Sequence, residues 1–307
     1  MDKLQLLKKI EEIYHSGGNI IQYLRDADGR DYNTIEDILI SYDFQSGSYI
    51  KAFHRNKEFL NQYCSSLAEV IKNLGQFNSI MEAGVGEATT LATLLKYISA
   101  PEQIFGFDIS WSRLKFAKGF INDSKINNVK LFCANLFEIP LSDNSIDIVY
   151  TSHTIEPNGG MEDKALKELY RVTNRYLILL EPAYEFASQE GKQRMKHHGY
   201  ITNLHSTAVE LGYNIVIHRL FDYYSNPLNP TGLILIEKNS APAAKTELVC
   251  PVSKSELKDC GSVLYSSGSL LAYPVIQEIP CLLRENAIIA THFQTDYNQF
   301  KIINRIE

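Results

Sequence analysis

Residues Ser79 to Thr90 constrain the fold more than any other stretch. An apolar run, Ser-Ile-Met-Glu-Ala, passes into Gly-Val-Gly and then into the helix-forming Glu-Ala-Thr-Thr. Gly84 and Gly86 carry no side chain, so a ligand can rest directly on the backbone where strand turns into helix. Further on, Gln103 to Ser110 reads as a second buried strand that ends in Asp108. A carboxylate there suits a ribose, because it can accept from two neighbouring hydroxyls at once. The remainder to residue 238 keeps alternating strand and helix, as a doubly wound α/β sheet does, with ligands expected beyond the carboxyl ends of the strands.

The spacing narrows the ligand. A dinucleotide fingerprint needs a third glycine where Thr89 stands, and a phosphate loop needs Gly-Lys-Ser or Gly-Lys-Thr at the helix start. Glu87 at that start also argues against an anionic ligand, since a bare helix N-terminus attracts phosphate and a carboxylate repels it. A cationic nucleoside remains. Val129 to Tyr150 adds a strand, the segment Asn135-Leu136-Phe137-Glu138-Ile139-Pro140, and another strand entered through Asp147; Leu177 to Pro182 follows as a fifth. With these motifs in register, residues 75 to 238 resemble the class I S-adenosylmethionine-dependent methyltransferases. Glu82 stands where that family more often has aspartate, and Ala88 replaces its third glycine.

The resemblance implies a Rossmann-like, doubly wound sheet of seven strands, with Asn214 to Phe221 and Thr231 to Glu237 as its antiparallel closing pair. It implies S-adenosylmethionine as cofactor, held by Glu82, Ala83, Gly84, Gly86, Asp108 and Ile109, with Asn135 and Leu136 at the adenine. Residues just past the fourth strand, Ser152 and His153 among them, face the transferred methyl. His153 is the leading base candidate because imidazole titrates near neutrality, with Glu156 to orient it, although a histidine there can also only shape the loop. His197, His198 and Tyr200 form a second set of acceptor-binding or base candidates. The chain lacks the Asn-Pro-Pro-Tyr or Asp-Pro-Pro-Tyr motif of amino-methylating enzymes, which favours an oxygen or small-molecule acceptor such as a sugar or glycan precursor.

Residues 1 to 74 read as an N-terminal helical cap. Its segment Ser41 to Tyr49 is rich in hydroxyls and amides, and Tyr42 and Tyr49 either close over the cofactor or pack two helices together. A small, proline-bearing linker at 239–247 leads to a unit at 248–290, followed by a tail at 291–307. The pattern around Cys250-Pro251 and Tyr273 to Leu283 resembles a small zinc-ribbon-like family that includes a methyltransferase activator subunit. Ser253 replaces its second cysteine, and Ser266, Ser267 and Ser269 stand where the second pair belongs. A structural zinc needs four Cys or His ligands, so no metal is expected and the small α+β unit should be held by apolar packing, Leu270 included. Packing against the larger domain or a homodimer contact is its expected role.

The net charge of -6 offers no general attraction to nucleic acid or anionic membrane. Five scattered cysteines argue against a disulfide framework, and no signal peptide or spanning segment is read, so a cytoplasmic location is expected. A methyltransferase acting on a small molecule leads. A transfer RNA or translation-factor methyltransferase with a fused activator, and a cofactor-binding regulator without catalysis, are the alternatives.

Overall fold

The computed structural model describes residues 4–238, 246–296 and 298–299. Most of the 239–247 linker and of the tail therefore lies outside the described residues. Five helices come first: α1 (Leu7–His15), α2 (Ile20–Ala27), α3 (Ile35–Phe44), α4 (Ser48–Arg55) and α5 (Lys57–Lys72). Then β1 (Ser79–Ala83), α6 (Thr89–Leu94), β2 (Gln103–Asp108), α7 (Trp111–Asp123), β3 (Val129–Cys133), β4 (Ile146–Ser152), α8 (Glu162–Val172) and β5 (Thr173–Pro182) alternate. After α9 (Gln189–His197) and α10 (Leu204–Glu210), the sheet closes with β6 (Asn214–Leu220) and β7 (Thr231–Glu237).

The sheet has seven strands in the order β3-β2-β1-β4-β5-β7-β6. The first five are parallel, and β7 inserts antiparallel between β5 and β6. β1, β4 and β5 are covered on both faces, which is why they read as continuous apolar runs and not as alternating ones. Asp147 serves this frame: its Oδ2 accepts from the Asn78 and Ser79 amides at 2.7 and 3.2 Å, and its Oδ1 accepts from Asn174 Nδ2 at 3.1 Å. One carboxylate thereby ties the entries of β1, β4 and β5 together.

Helix α5 belongs with this sheet. Tyr63, Cys64, Leu67, Ala68 and Ile71 are buried in one cluster with Ile80, Leu91 and Ile178, so this helix packs directly on the sheet. Two carboxylates fasten the N-terminal cap. Glu87 accepts from the amides of Gly47, Tyr49 and Ile50 at 2.8, 3.3 and 2.7 Å, capping α4. Asp43, at the end of α3, accepts from the Ser110 and Ser112 hydroxyls at 2.7 and 2.9 Å, where α7 begins. The sequence argument from Glu87 is thereby corrected: its charge satisfies the N-terminus of another helix.

The C-terminal unit is a five-stranded sheet, β8 (Lys258–Asp259), β9 (Val263–Ser266), β10 (Leu271–Ile276), β11 (Ile279–Pro280) and β12 (Ile288–Ile289). Its helical content among the described residues is one 3-10 turn, Arg284–Asn286, so it is a β unit where an α+β one was expected. It covers the β3 edge of the large sheet: Leu282 N donates to Cys133 O at 2.8 Å, and Cys281 bridges Cys133 in parallel. Cys250, Tyr273 and Leu282 join the core of the large sheet, whereas Leu270 is 41% exposed at a positive φ of 59° and holds nothing. Around Cys250, hydroxyl bonds link Ser253 to Ser255, Ser255 to Ser266 and Ser266 to Ser269 at 2.8, 2.8 and 2.9 Å, with Ser269 Oγ 3.3 Å from the sulfur. Ser267 and Cys260 are exposed and outside this web.

Candidate active site

A cavity of about 560 Å³ opens at the carboxyl ends of β1, β2 and β4 and is roofed by α3, α4 and the start of α5. Glu82, Gly84, Gly86, Asp108, Ile109, Asn135, Leu136, Ser152 and His153 line it, as do Tyr42 and Tyr49 from the cap. Ala83 is fully buried behind it, and its carbonyl accepts from Thr154 Oγ1 at 2.7 Å. That bond presses Thr154 onto the glycine loop: a Cβ on Gly84 would meet Thr154 Cγ2 at 2.2 Å. A Cβ on Gly86 would meet only Arg113, no closer than 3.6 Å, so the loop presents open backbone to the cavity there. Ala88, where a third glycine is usual, sits in the left-handed region at φ 58°. An alanine bears a cost of about 1–2 kcal/mol there.

Two acids stand at the floor. Asp108 takes the Gly86 amide on Oδ2 at 3.0 Å and the Ser110 amide on Oδ1 at 2.9 Å. Burial raises its pKa, against the opposing pull of Arg113 and those amides. Glu82 is 2% exposed and accepts from Tyr150 OH at 3.0 Å. Burial pushes its pKa up to about 8, only partly offset by Tyr150.

Arg113, which the sequence reading passed over, lies beside these acids. Its guanidinium stacks 4.6 Å from the Tyr42 ring centroid and 4.4 Å from that of Tyr49. Both of its cap partners are thus accounted for by a buried cation, a third possibility beyond cofactor closure or helix packing. Its Nε and Nη2 are buried and have no hydrogen-bond partner in the protein, so this edge still offers two donors. Only its place one turn into α7, beyond the acidic end of β2, could have flagged it.

On the opposite wall β4 ends in an unusual turn. His153 adopts φ 55°, a conformation rare for a side-chain-bearing residue and one that clusters at functional sites. Glu181, near the end of β5, holds that turn by accepting from the amides of Thr154, Ile155 and Glu156 at 2.9, 3.1 and 3.1 Å. Its pKa is pushed up to about 7 by burial, restrained by His153 and by those amides. His153 Nδ1 lies 2.5 Å from Glu156 Oε2, and its Nε2 lies 2.8 Å from Thr231 Oγ1. The ring is a third exposed, toward the cavity that it lines. Burial opposes its charged form, but the Glu156 hydrogen bond and the charges of Glu156 and Glu181 prevail and raise its pKa.

His197, His198 and Tyr200 do not reach the cavity. Gly159 N bonds to Gly199 O at 3.1 Å and Asn33 Nδ2 to His198 O at 3.1 Å, which places this segment behind the 156–159 turn and against the cap. His197 is exposed, and His198 stacks on Tyr200 at 5.2 Å between centroids. Burial, then Glu156, pushes the Tyr200 phenol up to about 12, so it stays protonated behind the dyad. Asn158, in the segment after β4 that the sequence placed at the methyl, lines the far wall with residues to which the sequence gave no site role: Tyr224, Ser225, Asn226, Asn229 and Thr231. Asn229 Nδ2 donates to Glu156 Oε1 at 3.1 Å, while its buried Oδ1 has no partner in the protein.

The C-terminal unit braces the Asn135–Leu136 side of this cavity from outside. Lys118 of α7 bonds to Gln277 O at 2.9 Å, Trp111 Nε1 to Ile276 O at 3.4 Å, and Arg284 Nε to Glu138 at 3.3 Å.

Comparison with known families and structures decides the class. Residues 81–177 match the family model described as a methyltransferase domain. This segment is a methyltransferase domain. The chain is an enzyme of that kind, and its cofactor is S-adenosylmethionine. A magnesium protoporphyrin IX methyltransferase from Synechocystis PCC 6803, solved with bound S-adenosylhomocysteine, superposes with a TM-score of 0.51 at 14% identity over 65% of this chain and 99% of that one. An S-adenosylmethionine-dependent methyltransferase from Aquifex aeolicus gives 0.43 at 19% identity, over 55% and 87%. A geranyl diphosphate C-methyltransferase from Streptomyces coelicolor gives 0.45 at 12%, over 56% and 78%. At these identities the likeness is one of fold. A search of curated proteins finds no match. The cavity suits the cofactor on its own terms: open backbone at Gly86, a buried acid at each end of the loop, and an unsatisfied guanidinium edge.

Among the described residues no helix is long and apolar enough to cross a membrane.

Proposed function

We propose that this methyltransferase alkylates a hydroxyl of a small, polar, hydroxyl-rich acceptor, of which a sugar or glycan precursor is an example. The carrying observation is the Glu156–His153 dyad at the end of β4, whose Nε2 already faces a hydroxyl, that of Thr231, at the cavity wall. S-adenosylmethionine supplies an electrophilic methyl group. An alcohol attacks it well only when its proton is removed as the new bond forms, so a base within hydrogen-bond reach is required. Glu156 fixes the tautomer by accepting a hydrogen bond from Nδ1–H, which leaves the Nε2 lone pair as acceptor. An acceptor hydroxyl that replaces Thr231 at Nε2 gives up its proton there, and the imidazolium is stabilised by Glu156 and Glu181.

Two further features support this reading. The far wall presents the amides and hydroxyls of Asn158, Ser225, Asn226 and Asn229 beside Tyr224, donors and acceptors that suit a polar acceptor. The unpartnered Asn229 Oδ1 is an acceptor for a second hydroxyl. At the other end Glu82 pairs with the cofactor's ammonium, Asp108 with its ribose, and Asn135 with its adenine. Arg113, Tyr42 and Tyr49 close over them.

The test is transfer of a labelled methyl group from S-adenosylmethionine to a fractionated cell extract. Label is expected in the small-molecule fraction, as an ether methyl by mass spectrometry. His153→Ala should lose about 10²–10⁴-fold in turnover while binding S-adenosylhomocysteine as the wild type does. Label confined to RNA or protein, or unchanged turnover in the variant, overturns the proposal.

A further inference from the structure

A second cluster of metal-ligating side chains lies outside the cavity, on the outer strand of the sheet. Glu185 comes from the 3-10 turn Tyr184–Phe186 after β5, His205 from the first turn of α10, and His218 from the middle of β6. One donor atom from each lies within 4.8 Å of the other two. The His205 and His218 rings are stacked with centroids 3.6 Å apart and planes 11° from parallel, and Glu185 Oε1 is 3.3 Å from His218 Nε2. Three elements distant in sequence thus bring two imidazoles and a carboxylate together, and because the stacked rings are nearly parallel, one of them must turn for both to meet a single ion.

We propose that Glu185, His205 and His218 bind a late first-row divalent ion, zinc first, with water completing the shell. The donor set is the one such ions select: imidazole nitrogen with a single carboxylate, three protein ligands and an open position. Donors around a tetrahedral ion with bonds of about 2.0–2.1 Å lie about 3.4 Å apart, so the triangle must contract. Glu185, 37% exposed at its side chain, has the freedom to move in. The consequence is a clasp: a bound ion would pin the turn that follows Glu181 to the outer strand β6 and to α10, fixing from behind the acid that holds the His153 turn.

The experiment uses tag-free, dialysed full-length protein and Zn²⁺ titrated against a chromophoric chelator, with Co²⁺ as the spectroscopic probe. One equivalent of zinc should bind, Co²⁺ should give visible bands of low coordination, and a hundredfold excess over the dissociation constant should raise the melting temperature by about 5 °C. His205→Asn and His218→Asn should each weaken binding at least about tenfold, and Glu185→Gln less. These sites lie at the surface, so folding of the variants is checked by circular dichroism and by unchanged S-adenosylhomocysteine affinity. Absence of stoichiometric binding overturns the proposal. So does equal affinity in the double histidine variant, and so does loss of binding only in Cys250→Ser, which would assign the ion to the serine web.

Discussion

The most exposed consequence of this site is that cofactor binding must expel a proton from Glu82. In the free protein burial pushes that carboxyl up to about 8, so at pH 7 only about a tenth of it is ionised. A ligand ammonium pairs with the carboxylate form, and binding at pH 7 should therefore release about 0.9 protons per cofactor. Affinity should rise about 50-fold between pH 6 and pH 8 as the cost of ionising Glu82 falls away. The assay is isothermal titration of S-adenosylhomocysteine across that range, in buffers of different ionisation enthalpy so that the proton count is read directly.

Glu82→Gln retains an acceptor for Tyr150 and cannot ionise. Its affinity should be flat with pH and below that of the wild type at pH 8. The free protein offers an independent reading. Because the folded state keeps this proton after the unfolded chain has lost it near pH 4.5, stability falls as pH rises from about 4.5 to about 8. The slope reaches at most about 1.4 kcal/mol per pH unit, so Glu82→Gln should be the more stable protein at pH 8. A pH-independent wild-type affinity with no proton release would show that Glu82 does not meet a cation, and the orientation of the cofactor argued here would fall with it.

Other perturbations separate the parts of the site. Gly84→Ala places a methyl 2.2 Å from Thr154 at a φ of 69°; strain and overlap together cost about 3 kcal/mol, seen as a fall of about 5–10 °C in melting temperature and loss of cofactor binding. Glu87→Ala strips the acceptor from three α4 amides at a cost of about 1–3 kcal/mol. Limited proteolysis should then cut near residues 45–56 and cofactor affinity should drop, whereas an unchanged digest would separate the cap from the loop. The rate should fall with decreasing pH as His153 is protonated, with a midpoint above the ordinary 6.5. Glu156→Gln should move that midpoint down, because the hydrogen bond and charge that raise it are gone.

How far the site was legible follows from which interactions are local. The cofactor loop could be read because a strand, two glycines and a helix lie within twelve residues, and because Asp108 ends the next strand in the same parallel register. The same locality exposed His153 and Glu156, an i,i+3 pair on one turn. Most of the far wall could not be read, since Asn229 from the β6–β7 connection and Thr231 from the start of β7 lie 73 and 78 residues from the partners they touch. His197 and His198 misled for the converse reason: near the site in sequence order after β5, they are turned behind it by the bonds of Gly199 and His198 to Gly159 and Asn33.

The sequence by itself determined the doubly wound sheet, its cofactor edge and the glycines that floor it, because apolar periodicity and missing side chains are properties of short segments. Only the tertiary structure decided what each charge is for. Glu87 caps a helix 40 residues away, Asp147 ties three strands, Arg113 lies between two cap tyrosines, and Glu181 holds the turn on which His153 stands. A carboxylate or a guanidinium takes whichever partner the fold brings within about 3 Å, and that distance is set by packing between elements that the linear order keeps apart.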